Sequence, residues 1–138
     1  LDPGHGGSDP GALGPTGTKE SERALDVCLR AEELLKPYVN VVLTRKTDVF
    51  LSLSARPSIS NVAGANRFVS YHFNSGDSPN TALSYECFTT PGQNNSDGLA
   101  DDIRGRQAEC CPWQKLRSDM SDGDIDKEVV MPMNFLQF

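Results

Sequence analysis

The stretch from Asp2 to Gly17 constrains this chain most, because it packs six glycines and three prolines between a first apolar position and a helix. Neither a helix nor a strand tolerates that density, so the segment must be a loop that turns through positive φ and brings backbone close to something. Leu1 reads as the last residue of a first strand whose earlier part is absent, so the chain is expected to be a fragment or trimmed domain. Within the loop, Gly4-His5-Gly6-Gly7 places a histidine at the tightest turn. A loose connector has a similar composition, but this loop carries His5 and runs straight into a well-formed helix. A phosphate cradle is disfavoured: the third glycine of the dinucleotide fingerprint and the Lys-Ser/Thr of a P-loop are both missing.

Two other segments answer the loop. Glu20 follows Gly14-Pro15-Thr16-Gly17-Thr18-Lys19 at the mouth of the helix. His72 closes the apolar run Phe68-Val69-Ser70-Tyr71-His72, ahead of Phe73-Asn74-Ser75. The chain has only these two histidines. Taken singly, each residue has an ordinary explanation: acids stabilise helix N-termini, and a histidine at a strand end is commonly structural. Together, a His, a Glu and a His from three segments form the donor set of a catalytic zinc that keeps one position open for water. Such an ion brings the pKa of water toward about 7 and polarises a carbonyl, which suits hydrolysis of an amide or ester. A general base, often Glu, normally assists. Asp2 or a backbone carbonyl is expected to fix the tautomer of His5. A Ser-His-Asp triad is less plausible, since no GxSxG elbow exists.

The intervening pattern reads as α/β: a single domain with a twisted, mostly parallel sheet flanked by helices. Ala24, Leu25, Cys28, Leu29, Ala31, Leu34 and Leu35 keep helical spacing, with Thr18 as N-cap and Pro37 as stop. Val39 to Thr44 reads as a buried strand and Ser54 to Ala65 as a second helix with Ile59, Val62 and Ala63 inward. Arg67 to Phe73 is the next strand, with Phe68, Ser70 and His72 on one side. Open α/β sheets build sites at the carboxyl ends of strands, where His72 falls. Leu83 to Thr89 is a further strand, Leu99 to Ile103 the start of a helix, and Gln107 to Glu128 a weakly patterned loop. Val129 to Phe138 regains strand character around Pro132.

Composition narrows the partners. The formal net charge of −6 argues against nucleic acid, and no basic cluster or long apolar run suggests a membrane. Cys28, Cys87, Cys110 and Cys111 lack metal-binding spacing and are expected to be buried or incidental thiols.

Leu1-Asp2-Pro3-Gly4-His5-Gly6-Gly7-Ser8-Asp9-Pro10-Gly11-Ala12 resembles the opening of the zinc-dependent N-acetylmuramoyl-L-alanine amidases of the amidase-3 family. Gly17-Thr18-Lys19-Glu20, Val42-Leu43-Thr44-Arg45, Leu53-Ser54-Ala55-Arg56 and Phe68 to Ser75 resemble its later landmarks, so the likeness covers roughly residues 1–88. It implies His5, Glu20 and His72 as zinc ligands. It also implies cleavage of the amide between the lactyl group of N-acetylmuramic acid and the L-alanine of the peptidoglycan stem. The expected setting is extracellular, at the cell wall or in the periplasm, as an autolysin or phage lysin acting as a monomer. Glu86 falls where the family has a glutamate, with Ser84 replacing a nearby glycine. It is either a surface residue of an edge strand or a carboxylate behind a metal ligand.

Residues 89–138 depart from the family pattern, although one catalytic domain is expected to span 1–138. The family's last strand ends in a catalytic glutamate. Here Met131-Pro132-Met133-Asn134-Phe135-Leu136-Gln137 is the best match and puts Gln137 there, while another register offers Asp126. The catalytic base is therefore not identified. The alternative function is a catalytically inactive amidase-like module that binds zinc and muropeptide.

Overall fold

A computed structural model describes residues 1–74, 84–85, 87–89, 95–110, 115–116 and 129–134. In chain order the elements are β1 (Asp2–Pro3), α1 (Glu20–Leu35), α2 (Ala55–Val62), β2 (Val69–Asn74), β3 (Ser84–Tyr85), α3 (Asn95–Cys110), β4 (Lys115–Leu116) and β5 (Val129–Asn134). A three-stranded sheet runs β1-β2-β5 and a two-stranded one pairs β3 with β4. Every pairing is parallel, so each return between paired strands needs a crossover, and helices supply it. The expected α/β architecture is the one observed.

The register places the site. Asp2 lies opposite Ser70 and Pro3 opposite Tyr71; on the other edge of β2, His72 lies opposite Pro132. Alternation along β2 then separates two faces. Val69 and Tyr71 pack with Cys87 and Ile103 around the buried Ala100 of α3. Ser70 and His72 turn the other way, toward Asp2 and Glu20. Burial raises the Tyr71 phenol to about 12, consistent with its place in this apolar layer.

Apolar burial on the loop side is sparse. Among the described residues Pro3, Ala24, Cys28, Leu43 and Ala100 are the buried apolar side chains, whereas Asp2, Glu20, Ser21, Arg45, Arg56 and Ser70 are buried and polar or charged. The middle of this domain is therefore a hydrogen-bonded network as much as an oily core.

Several expectations need correction. Thr18 does not cap α1: the N-cap position is Lys19, with no side-chain cap bond. Instead the loop caps the helix through its backbone, as Glu20 N donates to Ala12 O at 2.9 Å and Ser21 N to Pro10 O at 3.1 Å. Loop carbonyls thus satisfy donors that a helix start leaves open. Pro37 does follow the last helical turn, and α1 buries Ser21, Ala24 and Cys28, while Leu34 is 74% exposed.

Val39 to Thr44 is not a strand element, and Val39 and Val42 are more than 40% exposed, at 55% and 46%. Leu1 nevertheless bonds on both sides of Leu43, its amine to Val42 O at 2.7 Å and its carbonyl to Thr44 N at 3.0 Å, a single step of parallel pairing. The second helix is shorter than read, Ala55–Val62, and its buried residue is Arg56 rather than an apolar stripe, with Val62 90% exposed. The third helix is longer, extending through Asn95–Cys110 into the supposed loop. Strand character at 129–134 is present as β5.

Candidate metal centre

β1 delivers the chain into its turn. Gly4 N donates to Tyr71 O at 2.9 Å, continuing the pairing with β2. Then His5, Gly6 and Gly7 take φ values of 56°, 128° and 58°. Such a run of positive φ reverses the chain sharply and needs glycine at most positions. Gly6 and Asp9 exchange backbone bonds of 2.8 and 3.1 Å across the turn. That closure brings the Asp9 carboxylate to the imidazole, with His5 Nδ1 to Asp9 Oδ2 at 2.8 Å. Asp9 Oδ1 meanwhile accepts from Gly11 N at 3.1 Å.

With Nδ1 engaged by Asp9, His5 presents Nε2 to the interior. There it meets Glu20 Oε1 at 3.1 Å and His72 Nδ1 at 3.1 Å, and His72 Nδ1 lies 3.0 Å from the same Glu20 oxygen. The three predicted residues thus converge from the loop, the first residue of α1 and strand β2. The two rings meet edge to face, with centroids 4.8 Å apart and planes at 79°. Glu20 is 4% exposed. Its Oε1 also accepts from Phe73 N at 2.8 Å and its Oε2 from Ala12 N at 2.9 Å.

Electrostatics favour a charged carboxylate. Burial alone would raise the pKa of Glu20, but bonds from His5, His72, Ala12 N and Phe73 N outweigh it and hold the group far below the usual range. His5 is raised, first by its bond to Glu20 and further by Asp9, against the opposing effect of burial. Asp9 is lowered, chiefly by His5.

The donor set fits a metal. Nε2 of His5, Nδ1 of His72 and Oε1 of Glu20 form a triangle with edges of 3.0–3.1 Å. A tetrahedral ion with the Zn–N and Zn–O distances of protein sites asks for donors about 3.3 Å apart. Among the described residues this is the one group of three or more His, Cys, Asp or Glu side chains close enough to hold an ion. Glycines leave the space: a Cβ on Gly4 would lie 2.4 Å from His72 Cε1, and one on Gly11 2.6 Å from His5 Cδ2 and 2.7 Å from Glu20 Oε2.

Asp2, expected to orient His5, does something else. It is fully buried and accepts from Arg56 Nη1 at 2.9 Å, from Ser70 Oγ at 2.7 Å and from Thr44 Oγ1. Asp9 has the orienting role. Its sequence signal was its position four residues past His5 across Gly6-Gly7, a spacing that one tight reversal brings into contact. Arg45 and Arg56 were visible only as landmarks of a resemblance. In the structure both are buried and bind the main chain around His5. Arg45 donates to the carbonyls of Pro3, Gly4, Ser21 and Thr47, and Arg56 to those of Pro3, His5 and Leu51. Glu86, Gln137 and Asp126 lie outside the described residues, as does Cys111. Cys28 is buried and Cys87 half-buried, both as free thiols, and burial pushes Cys28 up to about 12.

A family model, Amidase_3, described as N-acetylmuramoyl-L-alanine amidase, matches residues 1–134. N-acetylmuramoyl-L-alanine amidase AmiA of Escherichia coli is 31% identical over 118 residues, 78% of this chain and 41% of that protein. The sporulation-specific N-acetylmuramoyl-L-alanine amidase of Bacillus subtilis is 43% identical over 79 residues, 55% of this chain and 31% of that protein. Among solved structures, the catalytic domain of CwlV, an N-acetylmuramoyl-L-alanine amidase from Bacillus (Paenibacillus) polymyxa, superposes with a TM-score of 0.79. It is 29% identical over 95% of this chain and 76% of that one. AmiC2 of Nostoc punctiforme gives the same TM-score, 0.79, at 28% identity, covering 94% of this chain and 74% of that one. The chain spans less than half the length of the curated relatives it matches, 19% to 41% of the first three.

Proposed function

The chain belongs to the N-acetylmuramoyl-L-alanine amidase family, and from that premise we propose that it is a zinc-dependent peptidoglycan hydrolase. The bond it cleaves is the amide between the lactyl group of N-acetylmuramic acid and the L-alanine of the stem peptide. Its place of action is the cell wall, outside the cytoplasmic membrane. Among the described residues no helix is long and apolar enough to cross a membrane.

The observation that carries this reading is the donor triangle of His5, Glu20 and His72. When bound there, zinc polarises the scissile carbonyl and lowers the pKa of water toward neutrality. The chain's own residues prepare the seat. Asp9 holds the Nδ1 proton of His5 and leaves Nε2 as a lone pair facing inward. Glu20 stays ionised because the main-chain N–H groups of Ala12 and Phe73 favour its charged form. β2 holds His72 on the face it shares with Ser70. Three protein donors leave a tetrahedral site one open position.

A second reading rests on Gln137, which the best match to the family's last strand puts where the family has a catalytic glutamate, another register offering Asp126. A carboxamide cannot accept the proton, which favours a module that binds zinc and muropeptide without turnover. Elemental analysis of the purified chain, run beside dye release from purified cell walls with and without chelator, separates the two. Near one zinc per chain with chelator-sensitive release is the expected result. Zinc without release supports the inert module, and absence of zinc removes both readings. His72→Ala is expected to lose zinc while keeping most of the fold, and undiminished zinc content in that variant would refute the ligand assignment.

A further inference from the structure

Arg45 is 3% exposed, and among the described residues no carboxylate pairs with its guanidinium. Burying a cation without a counter-ion is costly, so its hydrogen bonds must hold it in place. All of them go to main-chain carbonyls. Nε donates to Pro3 O at 3.0 Å, Nη1 to Thr47 O at 3.1 Å, and Nη2 to both Gly4 O and Ser21 O at 2.8 Å. Gly4 precedes His5, and Ser21 follows Glu20. One planar nitrogen therefore ties together the residues flanking two of the three metal donors.

We infer that Arg45 is a positioning residue that sets the separation of the His5 loop from the Glu20 end of α1, and through it the shape of the donor triangle. The inference rests on reading that triangle as a zinc site. Arg56 differs in kind. It bonds Asp2, Pro3, His5 and Leu51, which braces the loop against a buried carboxylate and α2 but reaches nothing on α1. His72 is placed separately, by its strand. Lysine cannot replace Arg45: a compact ammonium with three donors does not reproduce a planar fork that spans carbonyls from three segments.

The test measures zinc affinity by competition with a chromophoric chelator, alongside thermal melts of the zinc-stripped chains. The variants are Arg45→Lys, Arg45→Met and, as control, Lys46→Met. Lys46 is exposed and pairs with Glu32 of α1. Arg45→Met fills the volume while removing the buried charge, so it supplies a folded sample if the lysine is not tolerated. A folded Arg45 variant is expected to bind zinc about 10–100-fold more weakly than the parent, with altered absorption bands when cobalt(II) replaces zinc, while the control matches the parent. Zinc affinity within twofold of the parent in a folded Arg45 variant overturns the inference. So does failure of both Arg45 variants to fold, which would make the residue a support of the fold. A parent chain that binds no zinc refutes the metal reading instead, before any variant is compared.

Discussion

His5 holds a left-handed backbone conformation, φ 56°, that costs most side chains about 1–2 kcal/mol but that histidine and asparagine adopt more readily than others. The proposed ligand and the turn thus fall at one position. Gly11 and Gly17 separate the two demands that such turns make. Both have positive φ, 66° and 81°. A methyl group on Gly17 meets nothing within 4 Å, whereas one on Gly11 collides with His5 and Glu20. Gly17→Ala is therefore expected to cost only backbone strain, about 1 kcal/mol, with unchanged zinc content. Gly11→Ala is expected to lose most of its zinc, which elemental analysis of the two variants checks. Asp9→Asn keeps a hydrogen-bonding partner for His5 but removes the charge, so zinc affinity should fall by about 10-fold. Chelator competition at a pH where His5 is neutral measures that loss.

At the scale of elements, burial did not follow hydropathy. α2 was expected to face inward with Ile59, Val62 and Ala63, yet its buried residue is Arg56. Replacing Arg56 by Met strands the Asp2 carboxylate, which is 0% exposed, and is expected to cost about 3–5 kcal/mol in chemical denaturation. Val62→Lys, on the same helix, should stay within about 0.5 kcal/mol. The three residues proposed to hold the metal could be picked out because the chain has two histidines and each stands at a boundary that periodicity marks. β2 was legible from its alternation, and α1 from its spacing and Pro37. The arginines were not. A basic residue in a polar turn looks solvated, and only the three-dimensional course of the Pro3-Gly4-His5 main chain shows that its carbonyls need donors. Val39 to Thr44, read as a strand from its β-branched composition, shows one step of that pairing, with Leu1.

For the whole molecule, the same cluster that is proposed to seat a metal also couples stability to pH. Glu20 is lowered from an ordinary 4.5 and His5 raised from an ordinary 6.5. A lowered acid stabilises the folded chain above its ordinary value, and that contribution disappears as pH falls toward the folded value. A raised base stabilises below its ordinary value, and the contribution disappears as pH climbs through the folded one. For the zinc-stripped chain the two overlap between about 4.5 and 6.5. The melting temperature difference between the parent and His5→Asn should be largest in that window and shrink on both sides. Zinc uptake should move the opposite way across neutrality, rising as His5 gives up its proton.

The bonds that Arg45 and Arg56 make to the loop carbonyls carry one last consequence, for the heat of metal uptake. In a zinc finger the ion and the fold arrive together, so binding carries the thermal signature of burying a core. Here guanidinium groups of the chain itself hold the carbonyls of the turn, and among the described residues no segment has to collapse around the ion. Calorimetric titration should therefore show a heat-capacity change near zero. Zinc should raise the melting temperature only by mass action, in proportion to the logarithm of its free concentration.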